Sequence, residues 1–347
     1  MTKYSFLNDY SEGAHPEILN ALVDCNLEQQ NGYGNDTYSI EAKALIKKEM
    51  NNPDAEIVFV SGGTQANLII ISSALRPHES VVAADTGHIT HHEAGAIEAT
   101  GHKVNTILNI SGKLDISELE ALLIKHDFGP HVVKPKMLYI SNTTELGSIY
   151  SKQELIDLYT FAKTNSMYLF LDGARLGSAL MSKDNTLSLE DVANYTDVFT
   201  IGGTKNGALL GEAIVITNSA LKTDFLFHIK QKGAMLSKGR LLGIQFLTLF
   251  KNNLYLNLAQ HANAMSSRLA QSIKDQGYGF LTEPTSNLIF PILPNTLIDQ
   301  LEEFFIFYRW QKLDNSRSVL RIVTSWATQE DQVNKFITHI KTYNNPT

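Results

Sequence analysis

Only one cysteine, Cys25, occurs among the 347 residues. A single thiol cannot close an intramolecular disulfide, so the cytoplasm is the expected compartment. Nothing in the neighbouring sequence would activate that thiol, and Cys25 reads as a half-buried small residue. An excess of positive charge is also missing: Lys and Arg number 29 against 36 Asp and Glu, a formal net charge of −7. That balance argues against non-specific nucleic-acid binding, which needs a basic surface, and no recognisable DNA-binding module is present. No run of about 18 apolar residues occurs, so no membrane span is expected. The opening "MTKYSFLNDYSEG" has no apolar core of signal-peptide length. Internal repeats and low-complexity segments are absent too.

What remains is a chain that is 43% hydrophobic and 19% charged, a balance that suits a folded protein with a substantial core. Its length predicts one large domain and a smaller one. Residues 1–25 read as an arm and a first helix, "HPEILNALVDCN", with helical spacing of Ile18, Leu19, Leu22 and Val23. A glycine-rich loop, "NGYGND", leads into the helix "SIEAKALIKKEM". Strands and helices then alternate. The strands are "EIVFV", "SVVAAD", "KVNTIL", "PKMLYIS", "MYLFLDG", "DVFTIG" and "GEAIVIT". The helices are "TQANLIIISSAL", "HHEAGAIEAT", "DISELEALLIKH" capped by Asp115, and "KQELIDLYTFAKTN". This alternation predicts an α/β fold: a mostly parallel, seven-stranded sheet with helices on both faces, over 26–236. From 237 to 347 a small C-terminal α+β domain is expected. It would hold a long helical tract bent near Asn252–Asn253, strands "SNLIFPIL" and "VLRIVTSW", and helices at 295–303 and 329–343.

Ligands of open α/β sheets bind at the carboxyl ends of the strands. Three such ends carry chemistry here. In "FVSGGTQANL", Gly62, Gly63 and Thr64 stand between a strand and a helix, where free N–H groups can cradle an anion. The same stretch is also compatible with an ordinary tight turn. In "LFLDGARLGSAL", Asp172 leaves an apolar strand; a buried carboxylate needs a partner, either Arg175 in an ion pair or a cationic ligand nitrogen. In "DVFTIGGTKNGALLGEAIVI", Lys205 lies 33 residues after Asp172. Lys205 is either a surface lysine in a glycine-rich loop or a desolvated amine, and a desolvated amine has a lowered pKa and forms Schiff bases with carbonyls.

A phosphate cup, a carboxylate for a pyridinium nitrogen and a Schiff-base lysine are together what pyridoxal phosphate requires. With "NDYSEGAHPEIL", "NGYGND", "SGGTQANL", "DTGHITHHEAGA", "LDGARLGSAL", "FTIGGTKNG" and "LRIVTSW", the chain resembles the low-specificity threonine aldolases and related β-eliminating lyases over nearly its whole length. These are pyridoxal-phosphate enzymes of the aspartate aminotransferase fold. The resemblance implies that Lys205 forms the Schiff base with the cofactor and that Asp172 pairs with its ring nitrogen. It implies that Gly63 and Thr64 hold the phosphate, with Thr204 adding a hydroxyl. His88 would stack on the ring, and Arg175 would stand by the phenolic oxygen and near the substrate. Arg321 would bind the substrate carboxylate, with Asn8 where relatives carry a serine. His91 and His92 are not read as metal ligands, and no metal is expected. One of Lys230, Lys232 and Lys238 either reaches a phosphate, including that of a neighbouring subunit, or the three form a solvated basic loop. The loop "NGYGND" implies a homo-oligomer, dimer or tetramer, with shared active sites.

Two departures stand out. Thr144 occupies the place of a histidine that relatives carry in an N-T-H motif and that engages the substrate hydroxyl. The base then falls to His88, Glu93 or a water they hold. Relatives also read S-K-G where this chain has Thr204, Lys205 and Asn206. The expected reaction is cleavage of threonine or allo-threonine, β-hydroxy-α-amino acids, to glycine and an aldehyde. A β-elimination or a transamination on the same cofactor is the alternative. A cofactor-binding protein without turnover is disfavoured by intact Lys205, Asp172 and Arg321.

Overall fold

Seven short runs rich in Val, Ile, Leu and Phe assemble into one sheet in the computed structural model, which describes residues 3–109 and 111–343. The first two residues of the expected arm and the last four of the chain lie outside the described residues. The strands stand in the order Glu56–Val60, Glu212–Ile216, Val198–Gly202, Tyr168–Asp172, Lys134–Ser141, Glu79–Ala84 and Val104–Ile107. All neighbours run parallel except Glu212–Ile216, which is antiparallel to both of its partners. Val198–Gly202 and Glu212–Ile216 are buried at every position, as expected of strands covered on both faces. Alternation sorts the side chains into two cores. Leu169 and Leu171 pack with Ile46, Leu155 and Phe246 on one face. Phe170 packs with Ile69, Ile70 and Phe225 on the other.

Capping side chains set the helix starts. Asp36 caps Thr37–Glu49 and Asp115 caps Ile116–Lys125. Ser151 with Glu154, and Ser188 with Asp191, form capping boxes at Lys152–Thr164 and Leu189–Asn194. The long helical tract breaks where expected: Arg240–Phe250 and Leu254–Asp275 are separated by left-handed Asn252 and Asn253. The expected helix over "HHEAGAIEAT" is not formed. A helix covers His88–His91 only, and a single 3₁₀ turn covers Glu98–Thr100. Ala94 and Gly95 between them have positive φ, which no α-helix holds. The tertiary reason is Glu93, whose carboxylate is turned inward.

A second, four-stranded antiparallel sheet comprises Ile292–Pro294, Arg317–Val323, Tyr308–Lys312 and Leu288–Ile289. Its core includes Leu269, Leu297, Leu320 and Phe336. Tyr308–Lys312 is exposed throughout and carries no strand alternation that the sequence could reveal. Near the N-terminus, Tyr4–Ser5 pairs in parallel with Phe305–Ile306, and Phe6 is wholly buried against Phe305 and Phe336. The chain then runs back to the main sheet, where the His15 amide donates to the Gly207 carbonyl at 2.8 Å.

This arrangement brings three strand ends together. Ser141 is in register with Asp172, and the Gly202 amide donates to the Gly173 carbonyl at 2.9 Å. A Cβ on Gly173 would lie 1.9 Å from the Thr200 carbonyl oxygen, so only glycine permits this approach. Gly173→Ala is expected to lower stability by about 3 kcal/mol, since the backbone on both sides must move. A fall in the thermal midpoint checks it; an unchanged midpoint would show that the strand ends separate without strain.

Candidate active site

A cavity of about 290 Å³ opens at these strand ends, lined by Gly63, Thr64, His88, Asp172, Thr204 and Lys205, among others. It shares Tyr10, His88, Glu145, Arg175 and Lys205 with an adjoining cavity of about 560 Å³ that is closed by Tyr308 and Arg321. A larger groove of about 670 Å³ lies between Thr37–Glu49 and Phe225–Gln231. Size does not make it the site: it lacks the Gly62–Gly63 turn, Asp172 and Lys205. None of Lys230, Lys232 and Lys238 lines either smaller cavity. Lys230 lies over the Tyr33 ring at 4.9 Å, and the Lys232 carbonyl accepts from Gln65.

Asp172 ends its strand almost fully buried. Tyr139 donates to its Oδ2 at 2.6 Å, Asn67 Nδ2 to the same oxygen at 3.0 Å, and the Ala174 amide to Oδ1 at 2.9 Å. Burial pushes the pKa of Asp172 up, but the Tyr139 hydroxyl, His88, Ala174 and Asn67 together hold it below its ordinary 3.8. The carboxylate is therefore ionised inside the fold. Arg175 is not its partner. Arg175 forms a two-pronged pair with Asp9, Nε to Oδ2 at 2.7 Å and Nη2 to Oδ1 at 2.9 Å, and Asn287 also donates to Asp9. A guanidinium and a carboxylate matched in this geometry bond strongly.

His88 Nδ1 lies 2.8 Å from Glu93 Oε1, which also accepts from Asn67 Nδ2 at 2.7 Å. An oxygen that already serves as acceptor for Asn67 leaves Nδ1 as the N–H donor, so Nε2 is the basic nitrogen of His88. Glu93 itself does not line either cavity; it stands behind His88. Lys205 has its pKa lowered by burial and then by the Arg175 cation, against the opposing charges of Asp9, Asp172 and Glu212. Burial pushes Glu212 up to about 8 despite Lys205. Both groups thus lean towards their neutral forms. Arg321 is lowered to about 10 by burial and by Arg175; its Nη1 donates to the Leu7 carbonyl at 3.2 Å.

Other expected residues fall elsewhere. Asn8 lines neither cavity; its Oδ1 accepts from the Tyr10 amide and the Ser11 hydroxyl. Thr204 lines the cavity, but its hydroxyl is engaged with Gly211, accepting from its amide at 3.0 Å. Thr144 is buried against Ser148 and Ser111, away from the cavity wall. Its neighbours Thr143 and Glu145 line that wall instead. Sequence reasoning misses Asp9, Asn67, Tyr139, Glu145 and Glu212. A charged residue inside "GEAIVI" and a tyrosine one alternation before a strand end are the only signals for Glu212 and Tyr139.

The donor set fits a planar ligand with a phosphate, an aldehyde and a basic ring nitrogen. The helix Gly63–Ala74 presents its first N–H groups to the cavity, and a Cβ on Gly62 or Gly63 would meet open space. Thr143 Oγ1 and Glu212 Oε2 are buried in the lining without a hydrogen-bond partner among the described residues.

Residues 6–294 match the beta-eliminating lyase family. A low specificity L-threonine aldolase from a Pseudomonas species is 30% identical over 344 residues, covering 97% of this chain and 96% of its own. The solved structure of Leishmania major threonine aldolase superposes with a TM-score of 0.95 at 47% identity, over 97% of this chain and 98% of that one. An aspartate aminotransferase from Thermus thermophilus shares the fold, with a TM-score of 0.72 at 14% identity over 97% of this chain and 90% of its own.

Removing one partner of a buried ion pair leaves the other charge uncompensated. Asp9→Ala is expected to lower stability by about 3–5 kcal/mol at pH 7, read as a lower thermal midpoint. The pKa of Asp9 is held below its ordinary 3.8, chiefly by Arg175 and Lys205 against the cost of burial. Its contribution is thus full above 3.8 and is lost as pH falls through the folded value. The parent should lose stability below about pH 4 more steeply than Asp9→Asn; parallel acid limbs would refute the assignment.

Proposed function

Since the chain belongs to the beta-eliminating lyase family, we propose that it is a pyridoxal-phosphate-dependent aldolase. Its reaction is the cleavage of threonine and allo-threonine to glycine and acetaldehyde. The observation that carries this reading is the desolvated Lys205 amine in one cavity with ionised Asp172 and a glycine-opened helix N-terminus. Lys205 is the amine that would hold the cofactor's aldehyde carbon, and Gly63 and Thr64 its phosphate. His88 would lie against the ring, its orientation fixed by Glu93. When bound, pyridoxal phosphate supplies the sink for the electron pair left on Cα as the Cα–Cβ bond breaks.

The protein's own groups do the rest. Asp172 would keep a proton on the ring nitrogen of the bound cofactor, its charge being held by Tyr139, Asn67 and the Ala174 amide. Arg321, on the far wall, receives the substrate carboxylate; its partial commitment to the Leu7 carbonyl leaves donors free. Arg175, braced by Asp9, places a second cation between the two cavities. Orienting the breaking bond by such fixed groups is worth several kcal/mol. Homo-oligomerisation with shared sites is part of the proposal. It is supported by exposed Tyr33, Ile40 and Leu226 in the large groove beside the loop "NGYGND". A cytoplasmic location is supported by the single, buried, unpaired Cys25.

Absorption spectra of the purified protein with pyridoxal phosphate, before and after L-allo-threonine, with acetaldehyde assayed in the same tube, test the reading. A protein-bound visible band that Lys205→Ala abolishes, together with acetaldehyde and glycine, is expected. Ammonia and a keto acid instead would establish the β-elimination alternative, and no band at all would remove the basis in Lys205.

A further inference from the structure

Cleaving a β-hydroxy-α-amino acid requires a base for the hydroxyl proton, and the search for that base rests on the proposed reaction. Thr144, in the position where relatives carry a histidine, is turned towards Ser148 and Ser111. Glu93 is sealed behind His88 and Asn67 and reaches neither cavity. Asp172 is occupied by three donors at the inner end. His88 keeps Nε2 free, but its ring is held by Nδ1 on Glu93 and in the proposed reading its face is committed to the cofactor, which makes it a positioning group. That leaves Glu145. It lines both cavities, as Lys205 does, and therefore stands with Lys205 at their junction, between Asp172 and Arg321. A substrate whose carboxylate sits at Arg321 and whose nitrogen is directed to Lys205 would span that junction, within the walls that Glu145 helps to form. Glu145 is half-buried, and Ser141 Oγ donates to its Oε1 at 3.1 Å, which steadies the carboxylate without closing it off from the cavity.

We propose that Glu145 is the catalytic base that takes the proton from the substrate's β-hydroxyl. The O–H bonding pair becomes the second bond of the aldehyde carbonyl. The Cα–Cβ bond breaks and its pair stays on Cα, which then takes one proton to give glycine. One proton leaves oxygen and one arrives at carbon, so no oxidant, reductant or further reactant is needed. Electrostatics support the assignment. Burial first, and the Asp172 charge second, hold the Glu145 pKa above its ordinary 4.5, with His88 and Arg175 opposing. A carboxylate in that position is a stronger base than a solvated one. Arg175 beside it keeps the ionised form accessible.

The test compares two reactions of the holoenzyme, Glu145→Gln against the parent. Cleavage of L-allo-threonine needs the hydroxyl proton removed. Exchange of the glycine α-hydrogen with D₂O uses the same cofactor and the same carboxylate site but has no hydroxyl. Expected is a fall in kcat for cleavage of about a hundredfold or more, with glycine exchange and the cofactor band retained to within about threefold. Cleavage that survives within about threefold would overturn the role, and so would an equal loss of glycine exchange, which would make Glu145 a general support of the site. A parent that exchanges glycine but releases no aldehyde from any β-hydroxy amino acid would sink the aldolase reading itself, and the role of Glu145 with it.

Discussion

A carboxylate that stays charged while almost fully buried is the constraint around which the site is organised. Asp172 would be neutralised by burial alone. It remains ionised because a tyrosine, an asparagine and a backbone amide are all directed at it. Asn67 has two jobs, donating both to Asp172 and to Glu93. Glu93 in turn fixes His88. One network thus sets the charge of Asp172 and the orientation of the His88 imidazole. Asn67 Oδ1 and Glu93 Oε2 are buried without a hydrogen-bond partner among the described residues, so the network's geometry depends on these few bonds.

A second charged pair, Asp9 with Arg175, performs the same service on the opposite wall. It brings the N-terminal segment to the cavity and keeps a guanidinium where Lys205 feels it. The lysine is pressed towards its free-base form by burial and by that cation, which is the form a carbonyl needs. Asp172 and Tyr139 lie on strands and Lys205 just beyond one, and the tight approach at Gly173 and Gly202 fixes the spacing between the two strand ends that bear Asp172 and Lys205.

The sheet, its flanking helices and the bend near Asn252 were legible in the sequence because local signals produce them: β-branched runs, capping residues and asparagines that tolerate left-handed backbone. Gly63, Asp172 and Lys205 were legible because each follows an apolar strand. The partners were not. Asp9 and Arg175 are 166 residues apart, and Asn67 and Asp172 are 105 apart, so no local pattern links them. Arg175 three residues after Asp172 suggested a pair that the fold does not make. "HHEAGAIEAT" misleads for a related reason: its composition favours a helix, but a buried Glu93 and left-handed Ala94 override it. Thr144 and Glu145 show the limit most plainly. Which of two adjacent residues faces a cavity depends on the turn between strand and loop, and the sequence does not state it.

The pairing of Tyr4–Ser5 with Phe305–Ile306 ties the beginning of the described chain to its later part. In synthesis the segment bearing Asp9 is made long before the strand that docks it. Arg175, Lys205 and the main sheet are made in between, before that pairing can hold Asp9 opposite the guanidinium. The charge balance around Arg175 thus depends on a contact between distant parts of the chain that the sheet strands alone do not provide.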